Sequence, residues 1–144
     1  MPHYRSHKNQ KLYATHTKKA KSLGACNFCS TDLGNDQVVS VHKHFRIIRN
    51  IFPYNKWDSR IVTDHVMLVP IVHTEDLSAL GDDASIEFVK IISSYELKGY
   101  NIYARSPQSG MKSVPHQHTH LIKNDGKQYN AVLHLEKPYI SITF

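Results

Sequence analysis

The stretch Ser113-Val114-Pro115-His116-Gln117-His118-Thr119-His120-Leu121-Ile122 places an imidazole at every second position of a segment with period-two alternation. Alternate residues of a strand point to one face, about 6.6 Å apart. The spacing predicts a strand over Ser113–Ile122, with His116, His118 and His120 lining one surface and Gln117 and Thr119 facing the other. Even in a chain with eleven histidines, such alternation is a poor candidate for chance. It leaves three readings open: the solvated face of an edge strand, a three-histidine metal site, or a catalytic array. Imidazole suits both kinds of site near neutral pH.

Outward from this stretch, the order of elements predicts an α+β fold with an antiparallel sheet. Gln37–Ile51 reads as two strands meeting near His42-Lys43. Phe52-Pro53-Tyr54-Asn55 reads as a turn because Pro53 has no backbone donor. Lys56–Asp64 reads as a loop excursion before a buried strand over His65–Val69. Thr74 reads as the cap of a short helical turn. The main helix is expected over Asp83–Lys98, with Glu87, Lys90, Ser94 and Lys98 wet and Ile86, Phe88, Val89, Ile91 and Ile92 buried. Gly99 suits a left-handed cap. Strands are expected at Tyr100–Ala104, Ala131–Glu136 and Tyr139–Phe144, with turns at Asp32–Asp36 and Asn124-Asp125-Gly126. Ile140, Ile142 and Phe144 alternate with polar or amphipathic neighbours, as in an edge strand able to pair.

The chain has 144 residues, 40% hydrophobic and 21% charged, which excludes intrinsic disorder and gives one ordinary domain. Val66–Val72, the longest apolar run, is too short for a transmembrane helix. No charged segment leads into an apolar one at the N-terminus, so neither membrane nor secretory routing is expected. Two cysteines make no disulfide framework, and the expected compartment is the cytoplasm. The net charge of +6 resides in six basic residues before Cys26, where there is no acid. Residues 1–24 thus read as a basic arm, solvated at the terminus or able to touch nucleic acid. Residues 25–128 read as the main domain, and 129–144 as C-terminal strands packed on it.

Cys26-Asn27-Phe28-Cys29 has the spacing of half a tetrahedral zinc knuckle, or of two buried reduced thiols. Together, the motifs resemble the histidine-triad (HIT) family. His116-x-His118-x-His120-Leu121-Ile122 is similar to its signature, Asn50-Ile51-Phe52-Pro53-Tyr54-Asn55 to its N-x-F-P-Y-N turn, and His65–His73 to its H-x-L-V-x-P-x-x-H strand. The cysteines lie where many members carry zinc ligands.

The resemblance implies a five-stranded antiparallel sheet with one main and one short helix, paired as a two-fold homodimer. It implies a hydrolase or nucleotidyl transferase acting at the α-phosphate of a nucleotide or dinucleotide. His118 inherits the role of nucleophile. His120 and Ser113 inherit contacts to the phosphate and support of the transfer, Asn50 the ribose and Ile51 the base. Structural zinc would be held by Cys26, Cys29, His73 and His116. The expected substrate is a phosphoramidate, mixed anhydride or dinucleoside polyphosphate. A non-catalytic nucleotide- or nucleic-acid-binding module using the arm is the alternative, and a catalytic three-histidine zinc enzyme a third. Lys112 and Arg105 stand where Gln and Asn are usual, adding charge near the expected phosphates. His120, where a uridylyltransferase carries Gln, points towards hydrolysis. Nine residues, Lys56–Asp64, lengthen the usual two-residue link before His65.

Overall fold

A computed structural model describes residues 3–22, 24, 26–30, 36–128, 132–136 and 139–143. The expected turn residues Asp32, Gly34 and Asn35, and Ala131, Lys137, Pro138 and Phe144, lie outside these. The architecture is α+β, and the main sheet is antiparallel.

The sheet centre is built from β2 (Val38–Val41), β3 (Phe45–Arg49), β5 (Arg60–Pro70), β6 (Asn101–Ala104) and β7 (Thr119–Gln128). Their order is β2-β3-β5-β7-β6, which accounts for the five expected strands. Two short strands, β1 (His3–Tyr4) and β4 (Lys56–Trp57), continue the sheet along the first half of β5. The excursion over Lys56–Asp64 is therefore not a loop. It folds as a hairpin through Asp58 and Ser59, both with positive φ (47° and 58°). That backbone favours Gly or Asn, so Asp-Ser gives little turn signal in the sequence.

Strand parity divides the sheet into two faces. Phe45, Ile47, Val66, Leu68 and Leu121 form one face, covered by α2 (Asp82–Glu96) through Ala84, Phe88, Ile91, Ile92 and Tyr95. Arg46, Ile48, His65, Met67, Val69, His120 and Ile122 alternate with them and belong to the other face, where the site lies. With both faces buried, β3 and the second half of β5 read as nearly continuous apolar runs.

Several expectations need correction. Ile86 and Val89 are exposed, because Ala84, Phe88, Ile91, Ile92 and Tyr95 follow the helical period and those two do not. Glu87 is not merely wet: its carboxylate accepts the backbone N–H groups of Lys43 and His44, tying α2 to the β2–β3 turn. Asp76, rather than Thr74, caps the short 3₁₀ turn Leu77–Ala79. Asn124-Asp125-Gly126 lies within β7, whose register against β5 shifts there, with Gly126 at φ 76°. β8 (Val132–Glu136) and β9 (Tyr139–Thr143) pair as a separate two-stranded sheet.

The basic N-terminal segment is not a free arm. Its described residues form α1 (His7–Ser22), capped by Ser6, whose Oγ accepts from Asn9 N–H. Ser6 N–H in turn reaches Asn55 Oδ1 at 2.6 Å. Asn9, Tyr13 and Thr17 form the less exposed side of the helix, and Tyr13 and His16 stand edge-on to Phe52. Without an apolar stripe, these residues carry no helical period to read.

Candidate active site and metal centre

β7 begins only at Thr119, so the strand expected over Ser113–Ile122 is half present. Pro115 has no donor, and Gln117 N–H is taken by Thr74 O, off the ladder. The three imidazoles therefore do not share one strand face. His116 turns to the cysteines, while His118 and His120 remain neighbours at 5.1 Å between ring centroids. All five residues of His116–His120 are buried, including Gln117 and Thr119.

Cys26, Cys29, His73 and His116 converge, with one candidate ligand atom from each lying within 4.8 Å of the others. Cys26 Sγ is 3.4 Å from His116 Nδ1, and Cys29 Sγ is 3.3 Å from His73 Nδ1 and 3.5 Å from His116 Nδ1. Metal–sulfur and metal–nitrogen bonds of about 2.3 and 2.0 Å at tetrahedral angles separate ligand atoms by roughly 3.5 Å. The set fits a four-coordinate metal. His116 Nε2–H donates to Pro70 O at 3.0 Å, which leaves the Nδ1 lone pair directed at the cysteines. Burial holds His116 down to about 4, so it is neutral and able to ligate. Burial, then Cys26, pushes the Cys29 thiol up. Buried Arg46 donates to Phe28 O inside the Cys-x-x-Cys segment. The Phe28 ring lies against both His116 (5.6 Å) and His118 (5.1 Å).

His118 Nδ1 is 2.8 Å from His116 O. A carbonyl only accepts, so Nδ1 carries the hydrogen and Nε2 keeps its lone pair. Burial is the main cause that lowers His118 basicity, with Lys112 and Arg105 adding to it. The neutral imidazole is the resting form.

A second hydrogen-bond chain fixes His120. Tyr54 N–H donates to His65 Nδ1 at 3.1 Å, so the proton of neutral His65 sits on Nε2. His65 Nε2 is 2.9 Å from His120 Nδ1, which must accept. His120 Nε2 is thereby left as a donor. Burial first, and then His118 and His65, hold His120 well below its ordinary basicity. His65 is the functional residue that motif reading quoted without giving it a role. Asn50 borders this chain: its Oδ1 accepts Phe52 N–H, and its Nδ2 lies 3.2 Å from His65 Nε2.

Ile51, beside Asn50, is 51% exposed. Ser113 is half-buried, and no hydrogen bond to a described residue ties its hydroxyl to His118. Lys112 Nζ binds Glu75 O (2.6 Å) and Gln117 Oε1 (3.2 Å). The hairpin supplies Trp57, packed on Tyr54 and Tyr103, the two rings that flank His120. No described helix is long and apolar enough to cross a membrane.

This architecture defines the class by its fold, an α+β protein in which two neighbouring buried histidines stand beside a Cys2His2 cluster. Among solved structures, the chain is similar to a HIT family hydrolase from Legionella pneumophila Philadelphia 1, with 24% identity, a TM-score of 0.52, and coverage of 72% of this chain and 95% of that one. It is also similar to a histidine triad nucleotide-binding protein from Candida albicans, with 22% identity, a TM-score of 0.51, and coverage of 70% and 76%. No protein-family model matches this chain, and no curated protein matches it by sequence. The chain has the histidine-triad fold, and the resemblance carried by its motifs is met in three dimensions.

Proposed function

We propose that the chain hydrolyses nucleoside phosphates at the α-phosphate through a nucleotidyl-histidine intermediate on His118. The substrate is a phosphoramidate, a mixed anhydride or a dinucleoside polyphosphate. The observation that carries this reading is the His118–His116 O bond, which leaves a neutral, desolvated Nε2 lone pair. Support also comes from the fold shared with a protein named as a hydrolase and another named as nucleotide-binding.

In the first displacement, His118 Nε2 forms a bond to the α-phosphorus, and the bond from phosphorus to the leaving oxygen or nitrogen breaks. That atom takes the electron pair and, where it leaves as an amine or alcohol, a proton from solvent, which the hydrolytic water returns in the second step. Water then attacks phosphorus, the N–P bond breaks, and its electron pair returns to Nε2. The nucleoside monophosphate leaves, and the water proton passes to solvent. His120 Nε2–H and Ser113 steady charge on the phosphoryl oxygens, and Lys112 and Arg105 add positive charge around His118. Asn50 and Ile51 hold the nucleoside.

The donor set suits zinc, held by Cys26, Cys29, His73 and His116. With all four positions filled by protein, the metal would cross-link the fold and supply no hydroxide.

His118→Ala should lower turnover at least ~10³-fold while nucleotide affinity changes little, since no second group forms the covalent intermediate. Near wild-type hydrolysis of a nucleoside phosphoramidate by this variant would overturn the mechanism.

A further inference from the structure

His120 lies between two aromatic rings, and each ring carries an arginine. Tyr54 is 5.6 Å from His120 on one side, with the Arg5 guanidinium 4.5 Å over its centroid. Tyr103 is 5.8 Å away and nearly parallel to His120, with the Arg105 guanidinium 5.4 Å over its centroid. Arg5 comes from the N-terminal segment, outside the region that carries the family motifs. It is half-buried and held by three contacts: Nε–H to Phe52 O at 2.9 Å, the Tyr54 ring, and the Tyr13 ring at 4.3 Å. The Ser6–Asn55 bond and the capped helix α1 fix the backbone after Arg5, and β1, paired with β4, fixes the backbone before it.

Neither arginine forms an ion pair with a described carboxylate; the ion pairs among described residues are Lys43–Asp83 and His73–Glu75. Of the five N–H donors on Arg5, the Nε bond uses one. Lys112 differs, because its ammonium is tied to Glu75 O and Gln117 Oε1. Both guanidinium charges act on His120, lowering its basicity behind burial and the neighbouring histidines. A rigid, half-desolvated guanidinium whose remaining donors bond no described residue matches a phosphate, which it can grip through two parallel bonds.

We infer that Arg5 and Arg105 bind a second phosphate of the substrate, beyond the α-phosphate that His118 attacks. This rests on the nucleotide reading above and narrows its substrates to nucleotides with two or more phosphates. It also makes the N-terminal segment part of the site. The second phosphate is either the next in a 5′ chain or one carried on the ribose.

Calorimetric titration of the full chain with AMP, ADP and adenosine 3′,5′-bisphosphate tests this at one ionic strength. Wild-type protein should bind ADP or the bisphosphate at least about tenfold more tightly than AMP, the scale of a charged hydrogen-bonded pair. The preferred ligand identifies where the second phosphate sits. Arg5→Gln should shrink that ratio to about threefold or less with AMP affinity little changed. Arg5→Lys, which keeps charge but loses the fork, should fall between them. Lys90→Gln, an exposed position on α2, controls for net charge and should leave the ratio unchanged. Equal affinity of wild-type protein for all three ligands, or an Arg5→Gln protein that keeps the ratio, would overturn the inference. So would equal weakening of all three ligands by Arg5→Gln, the mark of a structural role. Absence of turnover with intact discrimination would count against the hydrolase reading alone.

Discussion

His65 shows how a residue away from the expected chemistry fixes a tautomer. Its Nδ1 is committed to Tyr54 N–H, and this assigns the proton positions of both His65 and His120. A pH dependence follows from the buried neutral His120. An unfolded histidine takes up its proton near pH 6.5. His120 in the fold resists protonation until well below that, chiefly through burial. Between the two values the unfolded chain binds more protons, so stability is present above about pH 6.5 and is lost as pH falls further. Thermal unfolding from pH 8 to pH 5 should show this loss, with a shallower slope for His120→Gln. A slope unchanged by the substitution would contradict the assignment. At this scale, the triad and the Cys-x-x-Cys pair were legible, because spacing and side-chain chemistry both lie in the sequence, whereas His73 and His116 joined the cysteines only through the family resemblance. The role of His65 was not, since its partner Tyr54 is distant in the chain and offers a backbone N–H, which no residue pattern records.

The inserted hairpin carries the corresponding lesson for elements. β4 and the first half of β5 form no lid; they set Trp57 against Tyr54, Tyr103 and Ile122 beneath the His120 side of the site. Trp57→Ala should cost about 3 kcal/mol in chemical unfolding, as the loss of a buried aromatic does. It should also loosen both rings that flank His120, lowering turnover. A change below about 0.5 kcal/mol, the scale of an ordinary surface substitution, would show that the hairpin is peripheral. Strands β2, β3 and β6, the second half of β5 and the main helix were readable, because apolar runs, turn residues and Gly99 mark them. The hairpin was not, as Asp58-Ser59 is a weak turn signal. Helix α1 was missed as well, since its inward face of Asn9, Tyr13 and Thr17 lacks an apolar stripe.

For the whole molecule, the Cys26, Cys29, His73 and His116 cluster brings the Cys26–Cys29 segment, the residues just after β5 and the first triad histidine together, three parts distant in sequence. Elemental analysis should find about one zinc per chain, and chelation should lower the melting temperature. A metal-free protein of unchanged stability would refute that reading. The resemblance further implies a two-fold dimer, and β6, with Ile102 partly exposed, is an open edge of the main sheet. Light scattering at micromolar concentration should return twice the 16.5 kDa chain mass, and a 16.5 kDa particle would contradict it. On the proposed mechanism, His118 carries the nucleotidyl group. Brief incubation with a nucleotide labelled in its base, alkaline quenching and peptide mapping test this most directly. Label should appear on the peptide containing His118 and not on the His118→Ala protein. Steady turnover without labelled His118, or equal labelling of the variant, would contradict it.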